Sequence, residues 1–247
     1  MEKIAIISDI HGNLVALEEV LKDIKSRNIN HIFCLGDLVA KGSQPKEAIE
    51  LVKKECEVII KGNCDDVVSQ NFSTKEHIWN KETIGKENVK YLKSLPLSYD
   101  FYMSGLKIRL IHASPDDLYN SINYYNITTK TNEEIKNMFK FKDVPDVVIF
   151  GHIHSPFLYR LNDKTLVNPG PVANSCDIIK KNDEKIQSSS YMIIEGEYGS
   201  KEAASISYEI VRLPYDYEKE IDNLKNSDMP NKDMAIEELM TGIYVKR

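Results

Sequence analysis

The first sixty residues alternate between short apolar runs and longer segments whose apolar residues recur at helical spacing. Ile4–Ile7 is a β-branched run typical of a buried strand. The segment Leu14–Ile24 then places its large apolar residues on one helical face, and Ile32–Leu35 predicts a second strand. A helix beginning near Pro45 and a third strand at Val58–Ile60 complete the series. This order predicts a parallel sheet covered by helices, with right-handed crossovers.

The rest of the chain predicts more strands, one long helix and two amphipathic helices. Residues 75–94 are typical of a helix that ends before Pro96, and a weaker helix is predicted near Glu133–Phe139. Apolar faces on the last two helices are formed by Tyr217, Ile221 and Leu224 and by Ala235, Ile236, Leu239 and Met240. Further strands are predicted at Tyr99–Met103, Leu106–Ile111, Val147–Phe150, Leu158–Arg160, Thr165–Val167, Tyr191–Ile194 and Ser205–Val211.

Composition narrows the class of protein. The chain has 247 residues, of which 42% are hydrophobic, so we expect a single domain spanning residues 1–247 with a sizeable core. Its formal charge of −6 comes from interspersed acidic and basic residues, which argues against an extended nucleic-acid interface. No apolar run approaches the ~20 residues that cross a bilayer, and no secretory signal is recognisable, so we expect a cytoplasmic protein. The scattered cysteines fit reduced thiols: Cys34, Cys56, Cys64 and Cys176.

Polar side chains capable of chemistry follow five of the predicted strands at their carboxyl ends. Ligands of open α/β sheets bind at this edge, and neighbouring strands lie only ~4.8 Å apart. We therefore expect these side chains to converge on one cluster. The segments are Asp9-Ile10-His11, Gly36-Asp37, Gly62-Asn63-Cys64-Asp65, His112 and Gly151-His152-Ile153-His154.

The residue types in this cluster indicate a metal centre. Two aspartates, four histidines and an asparagine form a mixed nitrogen and oxygen donor set that suits first-row divalent metals. Glycines directly before Asp37, Asn63 and His152 fit sharp turns that bring the backbone close to the site. Any one of these motifs alone is compatible with an ordinary turn or a capping residue. Five of them in order, each at a strand end, are not explained by turn chemistry.

This ordered set of motifs resembles the calcineurin-like metallophosphoesterase family. The resemblance covers about residues 4–170 and includes Asn168-Pro169-Gly170, which is similar to the family's Asn-Pro-Gly turn. It implies an α/β fold, a four-layer α/β/β/α sandwich with two central mixed β-sheets. The motif core would occupy about residues 1–170, with the C-terminal strands and amphipathic helices of 171–247 packed on it.

The resemblance also implies a ligand assignment and a mechanism. One ion would take Asp9, His11 and His154, the other would take Asn63, His112 and His152, and Asp37 would bridge both. The cofactors would be two divalent ions per chain, with manganese favoured and iron, zinc, nickel or cobalt as alternatives. Two such ions, two aspartates and a hydroxide leave a small net positive charge, which favours a phosphate anion. A metal-bridging hydroxide would attack phosphorus in line.

Cys64 departs from the pattern of the wider family. Many members have a histidine there, which protonates the leaving group and is oriented by the carboxylate that follows, here Asp65. A bacterial phosphodiesterase-like branch of the family resembles this chain in having Gly-Asn-Cys-Asp. The replacement would weaken general-acid catalysis and favour leaving groups that need little protonation. Alternatively, Cys64 fills space in its loop and another group or a water serves as the acid.

The substrate contacts are less defined. Asn13 could contact a substrate phosphate or cap the following helix, and Asp65 could be catalytic or organise its loop. A group of aromatic residues could either overhang the site and stack on a base or cover the core: Trp79, Tyr119, Tyr124 and Tyr125.

These patterns predict a metal-dependent phosphodiesterase or phosphatase that acts on a small phosphoester. The alternative is a hydrolase of dinucleoside polyphosphates or other nucleotides. A non-catalytic protein-binding scaffold is a further alternative, since a retromer subunit that resembles this fold has lost most of its metal-binding histidines. The complete ligand set of this chain counts against that alternative. No membrane partner is expected, and a homo-oligomer is compatible with the sequence.

Overall fold

The computed structural model describes residues 1–70, 74–122, 132–176, 179–181 and 184–243. Its helices are α1 (Leu14–Ser26), α2 (Pro45–Glu55), α3 (Asn63–Ser69), α4 (Lys75–Ser94), α5 (Asn132–Asn137), α6 (Tyr217–Asn226) and α7 (Lys232–Thr241). Its strands are β1 (Glu2–Ile7), β2 (His31–Cys34), β3 (Val58–Ile59), β4 (Ser98–Met103), β5 (Leu106–Ile111), β6 (Val147–Phe150), β7 (Phe157–Leu161), β8 (Lys164–Asn168), β9 (Ile179–Lys181), β10 (Glu184–Ile186), β11 (Ser188–Gly196) and β12 (Ser207–Pro214).

The larger strands form two mixed five-stranded sheets. In the first sheet the order is β12-β11-β1-β2-β3, with β1, β2 and β3 parallel and β11 antiparallel to β1. In the second sheet the order is β4-β5-β6-β8-β7, with β5, β6 and β8 parallel. The predicted parallel β1-β2-β3 arrangement is confirmed, as is the α/β class with two mixed sheets. Strands β9 and β10 pair separately as a short hairpin that the sequence patterns did not predict.

Alternating side chains of the strands build the layers of the sandwich. Ile4 and Ile6 of β1 point into the apolar cluster between the two sheets. Ala5 and Ile7 point the other way, into the cluster shared with α1, α2 and α4. On the outer face of the second sheet, Val148 and Phe150 pack with residues of α5 and the turn that follows it. Central strands such as β1 and β6 are therefore buried on both faces, which explains their continuous apolar runs.

Two predicted helices differ in detail. Gly85 interrupts α4 with a φ of 77°, so this segment consists of two helices joined by a kink. Met240 was placed on the apolar face of α7, which is wrong, because its side chain is 55% exposed. Ala235 and Leu239 are buried in the cluster shared with α6, and Ile236 packs against it, as predicted. The seven-residue helix α3 was not predicted, because it begins within the polar motif at Asn63.

The C-terminal helices α6 and α7 pack together over an apolar cluster that includes Leu224 and Leu239. Trp79 packs against this cluster, and its Nε1 donates to Asp228 Oδ1 at 2.8 Å. Tyr119 is 44% exposed. The described contacts of Trp79 thus match the core-covering alternative, whereas Tyr124 and Tyr125 lie outside the described residues. No helix in the described part of the chain is long and apolar enough to cross a membrane.

Candidate metal centre

The seven predicted ligands lie together where the carboxyl ends of strands from both sheets meet. Three segments of the first sheet contribute, following β1, β2 and β3, and two segments of the second sheet contribute, following β5 and β6. We expected these side chains at the ends of neighbouring strands of one sheet, whereas in the structure the two sheets share the cluster. The side chains it brings together are Asp9, His11, Asp37, Asn63, His112, His152 and His154.

Five of these residues have a left-handed backbone, which is uncommon for residues other than glycine. Such a conformation costs about 1–3 kcal/mol per residue and persists where the surrounding structure imposes it. Here the backbone N–H of Asp9 donates to the Gly36 carbonyl at 3.1 Å, and that of His11 donates to the Asp37 carbonyl at 2.8 Å. The residues and their φ angles are Asp9 (56°), His11 (51°), Asp37 (56°), His152 (68°) and His154 (53°).

Two glycines allow the turns after β2 and β3 to touch. A Cβ atom on Gly36, which has a φ of 91°, would collide with the backbone of Gly62. A Cβ atom on Gly62 would collide with both the backbone and the carboxylate of Asp37. The predicted close approach of the backbone at these glycines is confirmed. It places the N-terminus of α3 directly against the central aspartate.

Asp9, His11 and His154 form the first donor group, whose ligand atoms all lie within 4.8 Å of one another. Nδ1 of His11 donates to the Val39 carbonyl at 3.2 Å, and Nδ1 of His154 donates to the Asn174 carbonyl at 2.7 Å. In the neutral rings Nε2 therefore carries a lone pair, and the two Nε2 atoms lie 2.9 Å apart. Two facing lone pairs repel each other unless a cation or a proton lies between them. This arrangement fits a metal ion.

Asn63, His112 and His152 form the second donor group. Oδ1 of Asn63 lies 2.9 Å from Nε2 of His112 and 2.8 Å from Nδ1 of His152. Nδ1 of His112 donates to the Leu35 carbonyl at 2.8 Å, which leaves its Nε2 as an acceptor when the ring is neutral. When Oδ1 of Asn63 points into the site, it forms with the two imidazole nitrogens a set of three acceptor atoms, as is found around a cation. The opposite amide orientation would let Nδ2 donate to both rings, so the orientation of this amide distinguishes a metal-bound from a metal-free arrangement.

Asp37 lies between the two donor groups. Its Oδ2 is 3.8 Å from Nε2 of His11, in the first group, and 3.5 Å from Nε2 of His112, in the second. Its Oδ1 accepts from the backbone N–H of Cys64 at 2.7 Å. One carboxylate thus reaches both groups, as a bridging ligand would.

The protonation states suit metal binding, with one informative exception. Burial alone would raise the pKa of Asp37, but His112 and His11 outweigh it and hold that pKa well below its usual range. Asp9 behaves in the same way, because His154 and His112 outweigh its burial. Burial and then the neighbouring His154 lower the pKa of His11 to about 3. His112 is the exception, since Asp37 overcomes its burial and raises its pKa to about 9. Without a metal, His112 therefore carries a proton that partly replaces the cation.

Asp65 and Cys64 follow Asn63 and differ in surroundings. Both carboxylate oxygens of Asp65 accept from the backbone, from Asp37 and Leu38 at 2.8 Å and from Gly62 at 2.9 Å. The Cys64 sulfur lies within 4.8 Å of ligand atoms of His11 and Asp37. Burial and then Asp37 raise the pKa of this thiol well above its usual value, so it is protonated at neutral pH. The catalytic roles of both residues stay predictions.

Two other predicted residues are placed by hydrogen bonds. Asn13 caps α1, because its Oδ1 accepts from the Ala16 N–H at 3.0 Å, while its Nδ2 donates to the Tyr215 hydroxyl at 3.4 Å. The capping alternative thus describes its contacts, and a contact with substrate stays a prediction. Asn168 donates from Nδ2 to the Gly151 carbonyl at 2.7 Å, which ties the Asn-Pro-Gly turn to the loop that carries His152.

Sequence reasoning missed the groups that orient the histidines. These are the backbone carbonyls of Leu35, Val39 and Asn174. A carbonyl has no side-chain signature, so no sequence signal marks it. The pairing of Lys41 with Glu238 was also not predicted, because a lysine beside a glycine is typical of an ordinary solvated turn.

Comparison of the sequence with family models agrees with the motif order, the sandwich fold and the two donor groups. The model described as the calcineurin-like phosphoesterase superfamily domain matches residues 2–196. The chain belongs to this superfamily. The resemblance drawn from the sequence motifs is confirmed at that level, while membership of the Gly-Asn-Cys-Asp branch stays a prediction.

Individual proteins also match almost the whole chain. The uncharacterized protein MJ0912 of Methanocaldococcus jannaschii is 33% identical over 92% of this chain and 93% of its own length. A metallophosphoesterase from Sphaerobacter thermophilus aligns with a TM-score of 0.73 at 24% identity, covering 98% of this chain and 100% of its own. The hypothetical protein PH1004 from Pyrococcus horikoshii OT3 aligns with a TM-score of 0.75 at 17% identity, covering 99% and 100%. These two structures share the fold with this superfamily member.

Proposed function

We propose that this protein is a dinuclear metal-dependent phosphoester hydrolase. Asp37 is the observation that carries the proposal, because its carboxylate lies within 3.8 Å of a histidine nitrogen in each of two separate donor groups. A structural zinc site holds a single ion, usually with thiolate ligands, so it does not need a carboxylate shared between two donor groups. The oxygen and imidazole donors favour manganese, with iron, zinc, nickel and cobalt as alternatives.

The protein's own residues would perform three tasks in this reaction. When bound, the two ions would supply a hydroxide nucleophile near neutral pH and neutralise charge on the phosphoryl oxygens. Asp9 and Asp37, ionised and buried, would hold the ions. The carbonyls that accept from His11, His112 and His154 would fix each ring with Nε2 turned inward. An oxygen–phosphorus bond forms with the nucleophile, the ester bond breaks, and the departing oxygen takes up a proton.

Substrates of two kinds are compatible with this centre. The first kind comprises small phosphodiesters and phosphomonoesters, and the second comprises dinucleoside polyphosphates and other nucleotides. The non-catalytic scaffold alternative is disfavoured because the seven predicted ligands lie together in two convergent groups.

Metal analysis and one substitution test the proposal. The manganese-reloaded protein should contain close to two ions per chain and hydrolyse p-nitrophenyl phosphoesters. Asp37→Asn removes the charge shared by both groups, so turnover should fall by at least ~10²-fold while the circular dichroism spectrum is kept. Asp66→Asn is the matched control, since Asp66 lies in the nearby helix α3 and pairs with Lys61 at 3.5 Å instead of facing the centre. At most one ion per chain after saturation, or near-native turnover in Asp37→Asn, would refute the proposal.

A further inference from the structure

The loop formed by residues 39–44 follows the Asp37 turn and lies against the loop that carries His11. The Val39 carbonyl accepts from Nδ1 of His11 at 3.2 Å, and the Gly42 N–H donates to the His11 carbonyl at 2.6 Å. A Cβ atom on Gly42 would lie 2.5 Å from that carbonyl oxygen, so the two backbones are in direct contact. The position of the 39–44 loop therefore fixes both the ring and the backbone of His11.

Two residues of this loop have a left-handed backbone that other parts of the molecule must hold in place. The φ angles of Ala40 and Lys41 are 72° and 66°. Residues other than glycine keep such angles where the surrounding structure imposes them. Helix α4 contributes one restraint, since the Ala40 N–H donates to Oδ1 of Asn80 at 3.2 Å. Further restraints come from the C-terminal helices.

Glu220 of α6 provides a completely buried restraint. Its Oε1 accepts from the Ser43 N–H at 2.9 Å. A carboxylate is unfavourable at such a buried position unless hydrogen bonds compensate for its lost hydration. The Ser43 N–H provides one such bond, so the contact holds the 39–44 loop against α6.

Two polar contacts accompany this bond. On α6, Nδ2 of Asn223 donates to Oε1 of Gln44 at 3.2 Å. On α7, Glu238 pairs with Lys41 at 3.3 Å. Both helices lie beyond residues 2–196, which match the family model. Helices outside the matched region thus hold a loop that orients a candidate ligand inside it.

The second donor group is fixed by different contacts. Nδ1 of His112 donates to the Leu35 carbonyl, which precedes the 39–44 loop. Asp37 is also held from the side of α3, because its N–H donates to Asp65 at 2.8 Å. A displacement of the 39–44 loop should therefore disturb the first donor group and spare the second.

We propose that the C-terminal helices α6 and α7 position the first donor group of the metal centre, with Glu220 as the positioning residue that acts on His11 through the 39–44 loop. The inference rests on the proposed dinuclear centre. It gives the segment that follows the matched region a role in retaining one of the two ions. The other ion should stay bound when the Glu220 contact is lost.

Manganese binding to the metal-free variants, measured calorimetrically, tests the inference without turnover. Glu220→Leu introduces an apolar side chain of comparable size and removes the acceptor, so one ion should bind ~10–100-fold more weakly while the affinity of the other is unchanged. Glu220→Gln keeps an oxygen acceptor and should bind both ions as the parent does. Glu218→Leu, the matched control at an exposed position of α6, should also leave both affinities unchanged. Equal weakening of both ions in Glu220→Leu, or of neither, would overturn the inference.

Two single-ion backgrounds identify the affected ion. In His11→Gln, which lacks a ligand of the first group, adding Glu220→Leu should not change binding of the remaining ion. In His112→Gln, which lacks a ligand of the second group, the same addition should still weaken binding by ~10-fold or more. The reverse pattern would contradict the assignment of Glu220 to the first donor group.

A milder variant and hydrogen exchange decide the question if Glu220→Leu does not fold. Asn223 is partly exposed, and Asn223→Leu should weaken the same ion. It should also speed amide exchange within residues 40–44 of the metal-free protein, while exchange in α1 is unchanged. Unchanged affinity and exchange in this variant would overturn the inference. A parent protein that binds two ions but hydrolyses no phosphoester would refute the proposed function, whereas the binding results would stand.

Discussion

Removal of the Asp65 carboxylate should destabilise the protein more than neutralisation of the adjacent, partly exposed carboxylate of Asp66. Asp65→Ala leaves three buried N–H groups, of Asp37, Leu38 and Gly62, without their acceptor. An unsatisfied buried donor costs about 1–3 kcal/mol, so with partial relaxation we expect a loss of about 3–6 kcal/mol. Asp65→Asn can keep two of the three bonds on one oxygen, so its loss should be about 1–3 kcal/mol.

Urea unfolding of the metal-free variants measures these losses, and Asp66→Asn provides the comparison. Asp66 is partly exposed, pairs with Lys61 at 3.5 Å and accepts from Tyr119 and Gln70. An asparagine keeps an oxygen acceptor there, so neutralisation should cost no more than ~1 kcal/mol. Asp65 also fixes the backbone of Asp37, the proposed bridging ligand, so both Asp65 variants should bind manganese ~10–100-fold more weakly. A free energy of unfolding for Asp65→Ala within error of the Asp66→Asn value would show that these hydrogen bonds do not support the loop.

Three further results are expected. Cys64→His should accelerate hydrolysis of alkyl esters far more than that of nitrophenyl esters, because only poor leaving groups need the added proton donor. A Brønsted series in which the rate of the parent enzyme already does not depend on leaving-group pKa would contradict this. Burial raises the pKa of Glu220 above its usual 4.5, so its contribution to stability is lost as pH rises above that value. Glu220→Gln should therefore gain stability relative to the parent between about pH 4 and pH 8 in urea titrations, and a constant difference would count against the shift. Gly62→Ala should abolish metal binding by colliding with Asp37. Gly85→Ala has nothing within 4 Å of its Cβ and should cost only the backbone strain of its glycine-like φ and ψ, about 1–3 kcal/mol; equal melting losses would disprove the contrast.

The sequence patterns predicted most of the fold because its central strands are short, apolar and buried on both faces. Ile4–Ile7 and Val147–Phe150 are short apolar runs rich in β-branched residues, which are typical of buried strands. Helix α3 escaped prediction because its first residues are the metal-site motif itself, whose polar character hides the helical period. Met240 was misplaced because α7 presents only a narrow stripe to α6, and periodicity alone does not show how wide that stripe is.

The candidate site could likewise be predicted only in part. The candidate ligand side chains were predictable because oxygen and nitrogen donors follow successive strands in a fixed order. The carbonyls that orient them and the pairing of Lys41 with Glu238 were not, since residues 197 positions apart meet only after α7 folds back. Long-range contacts of this kind leave no local pattern in either segment.

The position of β1 has a consequence for how the nascent chain matures. This first strand lies inside its sheet, paired with β2 on one side and with β11 on the other, where Glu2 faces Gly196. The ribosome must therefore release nearly two hundred residues before the strand finds its second neighbour, and such distant pairings make folding slow. The Asn174 carbonyl that orients His154 is also synthesised late. We therefore expect metal capture to follow translation instead of guiding it, so that starving cells of manganese would leave a folded, inactive pool that can be rescued without new protein synthesis.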